Sequence, residues 1–150
     1  MKIAIASDHA GYNAKLAIKA FLEGEGYEVK DFGTDSADSC DYPDFALAAA
    51  TAVARGEFER GVLICSTGVG ISIAANKVKG IRCALCADEI CAEYSRRHND
   101  AQIIAMGAKV TSLETMKTLV NIFLTTDFEG GRHQRRVDKI MAIEQLTIPN

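Results

Sequence analysis

The apolar positions of this chain alternate between two patterns. "KIAIAS" (2–7) is a short, nearly unbroken apolar run, as in a strand covered on both faces. Residues 11–24 spread Leu16, Ile18, Ala20, Phe21 and Leu22 among Lys15, Lys19 and Glu23. That spacing predicts an amphipathic helix closing near Gly24 or Gly26. "YEVKDFG" (27–33) then predicts a strand, and "DYPDFALAAATAVARG" a helix from Pro43 to Gly56. "GVLICS" (61–66) predicts a buried strand, and 70–78 a short helix. A strand over 80–88, a helix over 89–98, a strand over 101–107 and a helix over 112–125 complete the alternation. A last helix, about 132–146, carries Arg132, Arg135, Arg136, Ile140 and Ile143.

Five strands separated by helices predict an α/β sandwich around a parallel sheet. In such sheets ligands bind beyond the carboxyl ends of the strands. The segments expected there are 7–11, 33–43, 65–71, 87–90 and 107–112. They contain Asp8, His9, Tyr42, Cys65, Thr67 and two loop glycines.

Composition narrows the field. The 150 residues are 48% hydrophobic and 25% charged, which suits one soluble domain with a real core. No linker or repeat divides residues 1–150. The net charge of -3 supplies no basic field for nucleic acid or an anionic membrane. The apolar runs are too short to span a bilayer, and the N-terminus lacks the pattern of an export signal. The five cysteines are therefore expected as reduced thiols in a cytoplasmic protein.

"LICSTGVGISIAANK" (63–77) carries the densest chemistry. Gly68 and Gly70 permit close backbone approach, and the loop enters a helix start, where N–H groups and the dipole favour an anion. It lacks the dinucleotide fingerprint, because the third glycine would fall at Ile73, and it lacks the P-loop pattern. A tight turn without a ligand is the plainer alternative. Cys65 stands just before these amides, which favour a thiolate; a buried structural cysteine is equally in keeping with its position.

Asp8 and His9 in "SDHAG" face the same edge. Ser7 or Asp8 could cap the following helix, which would leave His9 unexplained. His98, in "YSRRHND", sits near a helix C-terminus, where a histidine is also ordinary. Arg132 and Arg136 in "EGGRHQRRV" lie one turn apart and suit a phosphate or carboxylate. Pairing with Asp138 and Glu144 on a solvated helix is the competing expectation. Cys83, Cys86 and Cys91, with His98, suggest soft metal ligands. However, Cys83 and Cys86 fall in a predicted strand, three apart and on opposite faces, so no metal site is expected.

The segments "SDHAGY", "DYPDFA", "ICSTGVGISIAANKVKGIR", "SRRHNDAQIIAMG" and "EGGRHQRRV" together resemble the type B ribose-5-phosphate isomerases and their galactose-6-phosphate isomerase relatives. The likeness covers nearly the whole chain, in order and spacing. It implies a Rossmann-like three-layer fold and a homodimer or dimer of dimers with active sites shared between subunits. It implies reversible conversion of ribose 5-phosphate to ribulose 5-phosphate with no metal and no organic cofactor. Cys65 matches the family's base, which moves a proton between C2 and C1 through a cis-enediolate. Thr67 and the backbone of Ser66, Gly68, Val69 and Gly70 match the anion-stabilising loop. His98 matches the histidine that helps open the furanose ring, and Asp8 the acid near the ring oxygen. His9, Arg132 and Arg136 match phosphate contacts, and Tyr42 and Asn99 the lining of the sugar site. Ser66 stands where glycine is frequent, and Lys109 where an arginine often lies near the phosphate. A six-carbon phosphosugar, allose or galactose 6-phosphate, is the alternative substrate. Galactose enzymes of this family divide the site between two different subunits; here Cys65, Thr67, His98 and both arginines share one chain.

Overall fold

A computed structural model describes residues 1–146, 148 and 149. Strands β1 (Lys2–Ser7), β2 (Glu28–Asp31), β3 (Arg60–Cys65), β4 (Cys83–Leu85) and β5 (Ile103–Gly107) alternate with six helices. The helices are α1 (Tyr12–Gly24), α2 (Tyr42–Ala54), α3 (Val69–Asn76), α4 (Glu89–Arg97), α5 (Leu113–Thr125) and α6 (Arg132–Ile143). All strand pairs are parallel, in the order β2-β1-β3-β5-β4. The expected α/β sandwich with its five-stranded parallel sheet is therefore present.

Two apolar layers sandwich the sheet. Ile3, Ile5, Val62, Ile64, Ile104 and Met106 point one way, toward Ile18, Leu119 and Phe123. Ala4, Ala6, Leu63, Cys65, Ile103 and Ala105 point the other, toward the alanines of α2 and Ile71. This two-sided burial is why the strands read as continuous apolar runs rather than alternating ones. Both edge strands are short, and β2 (EVKD) carries three charges in four residues.

One lysine of α1 lies against the charged-side pattern, and three expectations need correction. Lys15 does not face solvent: it is fully buried while Leu16 is 42% exposed. Its ammonium meets Asp31 Oδ1 at 2.8 Å and also the Thr34 carbonyl oxygen. The strand expected over 80–88 shrinks to three residues, because Gly80 takes φ +89° and the Gln102 side chain accepts the Arg82 N–H. The last helix stops at Ile143, where Glu144 turns to accept the Gly80 N–H and Leu146 bonds back to Ile143. α1 begins at Tyr12 rather than directly after Asp8, so neither Ser7 nor Asp8 is its N-cap. No helix among the described residues is long and apolar enough to cross a membrane.

Candidate active site

The sheet's topology sets the site. The chain leaves β1 toward β2 on one side, while β3 lies on the other, so a crevice opens at the carboxyl ends of β1 and β3. Register places Ser7 opposite Ile64 and Cys65 opposite Gly107. The residues that follow these three strands therefore converge. They line a cleft of about 590 Å³ with Asp8, His9, Tyr42, Cys65, Ser66, Thr67, Val69, Gly70 and Lys109. Ala10 and Ile73, which the sequence reading did not single out, complete the lining.

Local backbone chemistry shapes the loop around the thiol. Gly68 adopts φ +81°, and a side chain there would press on Leu85 and the Met106 carbonyl carbon. That conformation turns the Gly68 N–H onto Cys65 Sγ at 3.1 Å. The Thr67 hydroxyl oxygen accepts the Val69 N–H at 3.2 Å, which leaves its own O–H to donate elsewhere. The first-turn amides of Gly70 and Ile71 precede the first intrahelical bond, from Ser72 N–H to Gly68 O. One short loop thus holds a sulfur, a hydroxyl and a helix start. Gly70 has its own reason: a Cβ would lie 2.5 Å from the Tyr42 ring, so its absence lets that ring rest on the loop.

The opposite wall is fixed just as locally. Asp8 is buried and accepts the Gly11 N–H at 3.1 Å. His9 Nδ1 accepts the Cys40 N–H at 3.2 Å, so the neutral ring carries its proton on Nε2. The cleft therefore offers a carboxyl group, an imidazole N–H, a lysine, a hydroxyl and a thiol around one space.

A second group of residues gathers elsewhere. His98 is the C-cap of α4, and the Asn99 carbonyl accepts from Arg82 Nε at 2.9 Å. Arg132 and Arg136 project from α6 and are exposed. Neither takes an ion-pair partner among the described residues, because Asp138 pairs with Gln134 and Glu144 with Gly80. None of these four residues lines the cleft.

The cysteine cluster is not convergent. Cys83 packs with the α2–α3 layer and Cys86 with the α5 layer, on opposite sides of the sheet. A trio absent from the sequence reading, His98, Glu129 and His133, does bring ligand-type atoms within 4.8 Å of one another. The two rings are stacked 8° from parallel. Their lone pairs run side by side instead of meeting at a point, which is poor geometry for an ion.

A parallel α/β sheet with a thiol, an acid and a helix start at one crevice defines a class, the Rossmann-like α/β proteins with a site at the carboxyl edge of the sheet. Comparison with known proteins narrows it. A family model described as Ribose/Galactose Isomerase matches residues 3–140. Ribose-5-phosphate isomerase B of Escherichia coli (strain K12) is 51% identical over 96% of this chain and 97% of its own. The solved structure of Clostridium thermocellum ribose-5-phosphate isomerase B superposes with a TM-score of 0.96 at 54% identity, covering 97% of this chain and 98% of that one. That of Mycoplasma genitalium ribose-5-phosphate isomerase B, with ribulose-5-phosphate bound, gives 0.94 at 41% identity over 97% of both chains. The chain belongs to the ribose/galactose isomerase family.

Proposed function

We propose that this protein interconverts D-ribose 5-phosphate and D-ribulose 5-phosphate, as an aldose-ketose isomerase. The observation that carries the reading is Cys65, held in the cleft with the Gly68 N–H on its sulfur, in a chain 51% identical to ribose-5-phosphate isomerase B of Escherichia coli.

The reaction starts from the closed sugar. The C1–O4 bond breaks, O4 takes a proton and the O1 hydroxyl loses one, which gives the aldehyde; His98 and Asp8 are assigned to these transfers. The Cys65 thiolate then removes the C2 proton. The electron pair moves into a C1–C2 double bond and the O1 oxyanion of a cis-enediolate. Thr67 and the amides at the α3 start stabilise that charge; the O2 proton passes to O1, the Cys65 thiol returns its proton to C1, and O2 becomes the ketone. A positioned base is worth about 10²–10⁴-fold, and one oxyanion donor about 10²–10³-fold. His9, Lys109, Arg132 and Arg136 are assigned to the phosphate, and Tyr42 and Asn99 to the sugar hydroxyls. No cofactor is needed for this chemistry.

The reading includes an assembly. His98, Asn99, Arg132 and Arg136 lie outside the cleft, so they are assigned to the cleft of a second copy, in a homodimer or a dimer of dimers. The apolar residues at the rim, Val69 at 46% and Ile73 at 56% exposed, give that copy something to cover. The reading also takes residues 1–150 as one domain, working in the cytoplasm on central sugar-phosphate metabolism.

The test is turnover of ribose 5-phosphate, beside allose 6-phosphate, by wild type and Cys65→Ala in the presence of a chelator. Faster conversion of the pentose, with a loss of about 10²-fold or more in the variant and retained phosphosugar binding, is expected. A Cys65→Ala protein that still turns over at the wild-type rate removes the thiol from the mechanism.

A further inference from the structure

His98 has an unusual setting for a group assigned to proton transfer. Neither of its ring nitrogens has a hydrogen-bond partner among the described residues; the nearest carboxylate oxygen, Glu129 Oε2, is 3.8 Å from Nε2. A catalytic histidine is ordinarily aimed by a hydrogen bond on its other nitrogen. Here two rings stand in for that bond. Tyr94, one turn earlier on α4, lies 4.5 Å from His98, tilted by 45°. His133, from α6, lies 4.0 Å away and 8° from parallel.

His133 is itself held firmly. It is 5% exposed, and its Nε2 is buried without a hydrogen-bond partner among the described residues. That atom lies 3.4 Å from Glu129 Oε2. The other oxygen of Glu129 is taken by the Arg97 guanidinium, with Nε at 2.7 Å, and Arg97 is anchored in turn on Glu93. The charged groups around the stack are thus Glu129, Arg97, Arg132 and Arg136.

We propose that His133 is a positioning residue for the reaction: its buried ring, stacked face to face on His98, fixes the orientation of the His98 imidazole for opening the sugar ring. The proposal rests on the isomerase reading and on the role assigned there to His98. Burial, and next the proximity of His98, push the His133 imidazolium below its ordinary range. His133 is thereby kept neutral, while His98 is the ring exposed enough to meet a substrate. A flat, neutral π face holds the His98 ring by stacking, and it takes neither nitrogen out of use. An aliphatic side chain of similar size fills the space but leaves the ring free to turn.

The chemistry allows a test that separates positioning from folding. Ribulose 5-phosphate is acyclic, because its C5 oxygen carries the phosphate and cannot close a five-membered ring on the C2 carbonyl. Exchange of its C1 hydrogen with D₂O needs the Cys65 base and the oxyanion loop but no ring opening. We would measure this exchange by NMR, and turnover of ribose 5-phosphate, for wild type, His133→Phe and His133→Leu. For His133→Leu, turnover of ribose 5-phosphate is expected to fall about five- to tenfold with ketose exchange unchanged. His133→Phe keeps the stacked face and should stay within about twofold of wild type in both assays. Equal loss of both activities in His133→Leu, or equal behaviour of the leucine and phenylalanine variants, overturns the proposal. If one variant fails to fold, the other still decides, since phenylalanine must preserve and leucine must split the two rates. Absence of both activities in wild type would instead remove the isomerase reading itself.

Discussion

Cys65 illustrates how much of a reactive site is written one residue at a time. Its place at the end of an apolar run and before two glycines was legible, because a strand that stops at a helix start leaves few other geometries. The partner of its sulfur was not legible. The Gly68 N–H reaches Sγ only because that glycine takes φ +81°, and spacing alone does not say which loop residue adopts it. Two other thiols are shielded by the core. Burial pushes the Cys86 thiol up to about 12 and raises Cys83 as well. At about pH 8 roughly one Cys86 in 10⁴ is then thiolate, the only form that alkylates readily. In native protein treated with iodoacetamide near that pH, exposed Cys91 is expected to be labelled while Cys86 stays unmodified until the chain is unfolded. Raising the pH toward 12 should increase Cys86 labelling. Peptide mass mapping checks this; rapid labelling of native Cys86 at pH 8 would mean that its layer opens.

Among the elements, the strands and most helices were readable from period alone. α1 was readable in extent but not in orientation. A lysine in a helical pattern reads as a solvent-facing position, and nothing nearby in sequence marks Lys15 as buried. Its partner Asp31 lies sixteen residues on, at the end of β2. That ion pair, with the Thr34 carbonyl, ties α1 to the start of the segment that runs toward Cys40, whose N–H bonds to His9. Lys15→Met keeps the volume and removes the charge, which leaves Asp31 and Thr34 without their cation. Loss of about 3 kcal/mol in urea unfolding is expected, since one partner of a buried pair is left uncompensated. A loss below about 0.5 kcal/mol would put this pair with the exposed ones, whose removal is nearly neutral.

At the level of the whole molecule, the alternation of elements was enough to give the sheet and to say at which end of it a ligand belongs. It was not enough to show that the expected site residues fall into two groups. Asp8, His9, Tyr42, Cys65, Thr67 and Lys109 meet in the cleft, while His98, Asn99, Arg132 and Arg136 do not. Which surface α4 and α6 present depends on crossovers and packing, not on the spacing of the motif. If a site takes one group from each of two chains, two crippled variants should repair each other. Cys65→Ala and Arg136→Ala, unfolded and refolded together in equal amounts, are expected to recover about a quarter of wild-type activity. Half of the random dimers are mixed, and each of these holds one intact site. Activity no higher than the mean of the two separate variants would confine each site to a single chain.

The short edges of the sheet bear on how such chains meet. β4 offers three residues and β2 four, three of them charged. Neither presents the long, flat, apolar border on which an extended segment of another molecule can add itself. Growth by strand donation, the route that leads from pairs to fibrils, is therefore disfavoured at both ends. Any joining of copies of this chain would have to use helix faces and loops, where closed symmetry, not strand pairing, limits the number of subunits.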